Sequence, residues 1–148
     1  MRAIPLMLAL LCPGPGQAQS ADVVRPDGQG DFRMVSVPGA RGSYPQRFWL
    51  VVDRDPRGLL CRDRSWRAWV ALRTGAVLEL VEKDEAAPQP LLHQTKPYLW
   101  VQAKPIDLLH DVRFRRDRGT RALCAVRANS SFIAPIHPES LQQVQLRP

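Results

Sequence analysis

Trp69-Val-Ala-Leu-Arg-Thr-Gly-Ala-Val-Leu-Glu-Leu-Val-Glu82 is the stretch that decides the fold class. An apolar run, Trp69 to Leu72, meets a turn at Arg73-Thr-Gly75. An alternating run follows, in which Leu78 and Leu80 point to one side and Glu79 to the other. A repeat of two is the signature of a half-buried strand, so this is read as strand, turn, strand. The same grammar extends outward in both directions. Phe48-Trp-Leu-Val-Val52 is short, aromatic and β-branched, and the turn formers Asp53-Arg-Asp-Pro-Arg-Gly58 end it. Leu59-Leu-Cys-Arg62, Tyr98-Leu-Trp-Val-Gln102 and Leu123-Cys-Ala-Val-Arg127 read as further strands, with Cys124 and Val126 on one face. Ile133-Ala-Pro-Ile136 closes the series, and Pro135 confines it to a sheet edge because proline offers no N–H to a ladder. Short strands separated by turn signals, with no amphipathic helix among them, predict an all-β chain forming a small barrel or sandwich.

Three other segments flank or interrupt this series. Residues 21–46 hold Pro26, Asp27-Gly28, Gly30, Pro38-Gly39, Gly42 and Pro45, and read as an extended N-terminal arm with one strand-like alternation, Phe32 to Val37. Lys83 to Pro97 and Ala103 to Thr120 read as long connections, the second carrying Arg113-Phe-Arg-Arg-Asp-Arg118. The domain is expected over 47–138, with 139–148 as a C-terminal tail.

Residues 1–20 have the layout of a cleavable export signal. Arg2 precedes the apolar run Ala3 to Cys12, Pro13-Gly-Pro-Gly16 breaks it, and Ala18-Gln-Ser20 supplies small residues for a cut after Ala18 or Ser20. The run is shorter than the roughly 20 apolar residues a membrane span needs. Pro5 and the Pro/Gly break oppose an uncleaved anchor, and Leu11 before Cys12 opposes lipidation. The expected location is secreted or periplasmic, with no stable membrane span after cleavage. Removing the leader takes away Arg2 alone, so the net charge of +7 falls by one. Arginine dominates the cations, which suits polyanions, and is equally what a GC-rich genome produces.

Of the 3 cysteines, Cys61 and Cys124 remain after cleavage, and an oxidising compartment makes a disulfide the default. A free thiol pair and a metal site are the alternatives. The absence of a C-x-x-C spacing or a nearby histidine pair speaks against metal.

Taken together, Gly58-Leu-Leu-Cys-Arg62, Val70 to Leu78, Tyr98-Leu-Trp-Val101 and Ala125-Val-Arg-Ala-Asn-Ser-Ser-Phe-Ile133 resemble, in order and spacing, the strands of a bacterial SH3-like (SH3b) domain. The likeness runs from about Arg47 to Pro138. The cysteines look like those of a secreted, cyanobacterial-type variant, which implies a Cys61–Cys124 disulfide across inward positions. The chain departs from the family pattern in lacking an Asn-Val-Arg-Ser-Gly-Pro loop after Arg62 and in the length of 103–120. The resemblance implies a small SH3-like barrel with long loops and a non-catalytic binding role.

The residues offer no enzyme chemistry. His93, His110 and His137 are scattered, and no Gly-x-Ser-x-Gly, His-Glu-x-x-His or phosphate-loop motif occurs. The expectation is therefore a domain with no catalytic residue, metal or cofactor. The aromatic residues are the better lead. Trp66 sits in a charged loop where burial is hard to arrange, so Trp66 and Tyr98 are the expected ligand contacts. The expected partner is a cell-wall peptide or an envelope protein. The alternatives are a polyanion held by Arg113, Arg115, Arg116 and Arg118, or a structural place in an envelope assembly.

Overall fold

The computed structural model describes residues 23–39, 41–81, 89–104, 108–109, 122–137 and 140–141. The expected export signal 1–20, Arg113 to Arg118 and most of 139–148 lie outside them. The chain is all-β, with every strand pairing antiparallel. The strands are β1 (Ser36–Gly39), β2 (Gly42–Pro45), β3 (Phe48–Val51), β4 (Leu59–Arg62), β5 (Ala68–Leu72) and β6 (Val77–Leu80). They continue with β7 (Leu91–His93), β8 (Lys96–Ala103), β9 (Leu108–Leu109), β10 (Ala122–Arg127) and β11 (Ile133–Ile136). The main sheet runs β11-β3-β6-β8-β10-β4-β5-β9, with β7 also on β8, while β1 and β2 form a separate hairpin. β11 lies at the sheet edge, where Pro135 predicts it. Among the described residues no helix is long and apolar enough to cross a membrane.

Alternation fills the core. Leu78 and Leu80 of β6, Leu99 and Val101 of β8, and Cys124 and Val126 of β10 all face inward. Trp49 is wholly buried among them, and its indole N–H donates to the Gln46 carbonyl at 2.8 Å. The buried Gln46 amide in turn donates to the carbonyls of Phe48 and Ile136. No polar group in this corner is buried without a partner, which burial requires. Cys61 in β4 and Cys124 in β10 are bonded, with Cα atoms 5.5 Å apart and no exposed surface.

Two segments differ from the sequence expectation. The segment before residue 47, read as an extended arm, packs against the strands that follow it. Val24, Phe32 and Val35 are buried in the same cluster as Trp49, and the Phe32 and Trp49 rings meet edge to face at 4.9 Å. The Phe32 N–H donates to the Ala128 carbonyl, and the Gln46 N–H donates to that of Val35. Gly30 and Gly42 take positive φ here, and a Cβ on Gly39 would collide with the Tyr44 ring. Val24, Phe32, Val35 and Gln46 therefore pack with the strands that follow residue 47.

The connection 83–97 also holds structure, since β7 pairs with the start of β8 through the two-residue turn Gln94-Thr95, both at positive φ. That backbone matches the twist of a tight hairpin, although neither residue type advertises it. Pro97 hides the early start of β8, because its missing N–H reads as a strand breaker. Its carbonyl nevertheless accepts from the N–H of Ala128.

The first turn of the domain is organised by one carboxylate. Asp27 accepts the N–H groups of Gln29 and Asp31, each at 2.9 Å, and the Arg33 guanidinium at 2.8 Å. The Asp31 N–H first, and Arg33 next, hold its carboxyl below the ordinary value of 3.8. A carboxylate with a depressed pKa contributes stability that is complete above the ordinary range and is lost as pH falls through the folded value. Unfolding free energy followed from about pH 6 to about pH 2 should therefore fall less steeply in Asp27→Asn than in the parent. Equal slopes would mean that Asp27 does not hold this turn in solution.

Candidate functional site

The outward positions of β8 are Tyr98, Trp100 and Gln102, all half-buried, while the intervening residues are core. On the neighbouring β10, Arg127 lies opposite Tyr98 and Ala125 opposite Trp100, and Arg62 of β4 follows opposite Ala125. The outer face of three adjacent strands thus carries aromatic and cationic side chains side by side.

The loop between β4 and β5 brings Trp66 to this face. Asp63 accepts the N–H groups of Ser65 at 2.8 Å and Arg67 at 3.0 Å, while its own N–H donates to the Arg67 carbonyl. The Trp66 N–H donates to the Asp63 carbonyl, and the Arg62 guanidinium donates to the Trp66 carbonyl at 3.0 Å. These bonds hold Trp66 at φ +62°, a left-handed conformation that bulky side chains rarely adopt. Such strain persists only where the surroundings over-determine it. The result is an indole in a set place: His93 stacks on it at 4.0 Å, and Tyr98 meets it edge to face at 5.1 Å.

Tyr98 is also the seam between this cluster and an open cleft of about 310 Å³. Leu59, Leu60 and Phe132 line its apolar side, and Asp53, Asp55, Arg62, Lys96 and Arg127 bring charge to its rim. Two of the charges are already matched within the protein. Arg127 pairs with Asp31 at 2.6 Å while its guanidinium also faces the Tyr98 ring at 5.8 Å. Asp55 pairs with Arg57 at 2.9 Å, and that side-chain hydrogen bond lowers the Asp55 carboxyl from its ordinary value and raises Arg57. Among the described residues no group of three or more His, Cys, Asp or Glu side chains is placed to hold a metal.

Trp66 and Tyr98, expected as partly exposed ligand contacts, are both half-buried and touch each other. Trp100 and Phe132, whose types suit a core, are likewise half-buried, and Arg64 lies over the Trp100 ring at 5.8 Å. Arg113, Arg115, Arg116 and Arg118 fall outside the described residues. Sequence reasoning did not single out His93, Lys96 or Arg127. The only signal for the first two was the four-residue polar gap His93-Gln-Thr-Lys96 between Leu91-Leu92 and Pro97-Tyr98.

This fold and site describe an all-β domain whose outward aromatic cluster opens into a charged cleft. Comparison of the chain with family models, curated proteins and solved structures gives no match.

Proposed function

We propose that this chain is an exported, non-catalytic binding domain of SH3b-like architecture that takes a cell-wall peptide or a segment of an envelope protein. The observation that carries the reading is the joined aromatic cluster and cleft, Trp66–His93–Tyr98 beside Leu60 and Phe132. Half-exposed aromatic side chains beside an open concavity supply contact area at little entropic cost, which is what a binding anchor requires. Two further features support the architecture. β11 returns to pair with β3, and the tight turn at Asn129 to Phe132 leads into it where the resemblance has its short closing turn. The buried disulfide supports an oxidising compartment and hence export.

Binding of solubilised wall stem peptides, followed by amide shifts in the NMR spectrum, tests this. The parent should show shifts at Leu60, Tyr98 and Phe132. Trp66→Ala should weaken binding about tenfold, the loss of roughly 1.4 kcal/mol typical of a modest aromatic anchor, with the fold retained. Equal affinity in Trp66→Ala, or no shifts in the parent, would reject the reading.

A further inference from the structure

We infer that the cleft selects a short peptide carrying both a free carboxylate and a free amine, with the carboxylate set against Lys96 and Arg62 and the amine against Asp53. The inference rests on the cleft being the binding site and names the chemistry of what enters it.

Charge is left over in the cleft. Five charged side chains line the cleft, and Arg127 and Asp55 already have their counter-ions in Asp31 and Arg57. Three remain. Lys96 is exposed and, among the described residues, has no ion-pair partner. Arg62 gives an N–H to the Trp66 carbonyl, which satisfies a donor without cancelling the charge. Asp53 accepts the N–H of Asp55 at 3.0 Å and has no cation beside it among the described residues.

An apolar ligand seated here would take water from these charged side chains without giving them a partner, the cost that burial of charge carries. A simple anion would meet Asp53, and a simple cation would meet Lys96 and Arg62. Only a ligand with both signs gives each ion a partner, and the surplus positive charge favours one with more carboxylate than amine. A cleft of about 310 Å³ stands at the small end of ligand sites, so the occupant is a short segment rather than a folded surface. Tyr98 and Phe132 then cover its apolar atoms.

The test uses three forms of one probe, acetyl-Ala-Lys-Ala: the free acid, its C-terminal amide, and the free acid acetylated on the lysine amine. Affinity is read from the amide shifts of Leu60, Tyr98 and Phe132. The free acid should bind five- to tenfold more tightly than either blocked form. Lys96→Gln, which leaves Arg62 in place, should weaken the preference for acid over amide while keeping the preference for free over acetylated amine. Asp53→Asn, which retains an oxygen for the Asp55 N–H, should do the reverse. Equal binding of all three forms at these residues would overturn the inference and leave the binding site standing. A preference for the acid that is undiminished in Lys96→Gln would also overturn it. No shift with any form, in a spectrum that also fails to respond to wall peptides, would remove the inference and the binding site together.

Discussion

Reduction of the Cys61–Cys124 disulfide is expected to lower the melting temperature by about 15 °C. The bond closes a loop with a sequence separation of 63 residues. Chain entropy assigns such a loop roughly 4 kcal/mol, and a domain of this size shifts by about 3–5 °C per kcal/mol. The position of the bond adds to the loss. β4 meets β10 through the register pair Ala125 and Arg62, so the disulfide joins two strands whose ladder is short. Beyond β4 lie β5 and the loop carrying Trp66, which depend on that join. Cys61→Ala with Cys124→Ala should behave like the reduced protein, with a small further loss from the buried space vacated. Melting followed with and without reductant, with thiol labelling to prove reduction, checks this. A fully labelled protein that melts unchanged would mean that the bond is not needed to hold β4 on β10.

Asp31→Ala is expected to cost about 3–5 kcal/mol, the usual result of leaving one member of a buried ion pair alone. The Asp31 side chain is 6% exposed and that of Arg127 is 16% exposed, with 2.6 Å between them. Asn129 donates to the same carboxylate oxygen at 2.7 Å, and the Arg127 guanidinium also donates to the Pro97 carbonyl. The pair spans 96 residues of sequence and fastens the first segment of the domain to the end of β10. Asp31→Leu combined with Arg127→Met should recover much of the loss, because removing both charges leaves no uncompensated ion. Urea unfolding of the single and double variants measures both numbers. A cost below about 1 kcal/mol for Asp31→Ala would mean that residues 23–35 do not dock in solution as they do here.

The sites of these two predictions differ in how visible they are from the chain alone. If residues 1–20 are removed, two thiols remain, and a disulfide between them is the default expectation whatever the fold. Nothing near Asp31 or Arg127 singles them out among 14 acidic and 21 basic residues. An ion pair at that separation is a product of topology: Asp31 bridges to Asn129 only because the chain returns there after β10.

The aromatic site divides in the same way. Trp66 stands out because a large apolar ring in Asp63-Arg-Ser-Trp-Arg67 has nowhere local to bury itself. Its partner His93 does not stand out, since a lone histidine in a polar connection carries no pattern. It becomes a partner because β7 folds back along β8 and sets its last residue over the indole.

The sequence by itself determined most strands of the main sheet, their inward and outward alternation, the edge place of Pro135 and which two cysteines a disulfide would join. All of these follow from short-range periodicity, from the missing proline N–H, or from a count. Only the tertiary structure decided that Val24, Phe32, Val35 and Gln46 enter the core, that Arg127 and Asp55 are matched, and that Lys96, Arg62 and Asp53 line one cleft with no counter-ion among the described residues. Those facts depend on which strands become neighbours. Strand neighbours are selected by burial and hydrogen bonding summed over the whole chain, and no local window of sequence contains that sum.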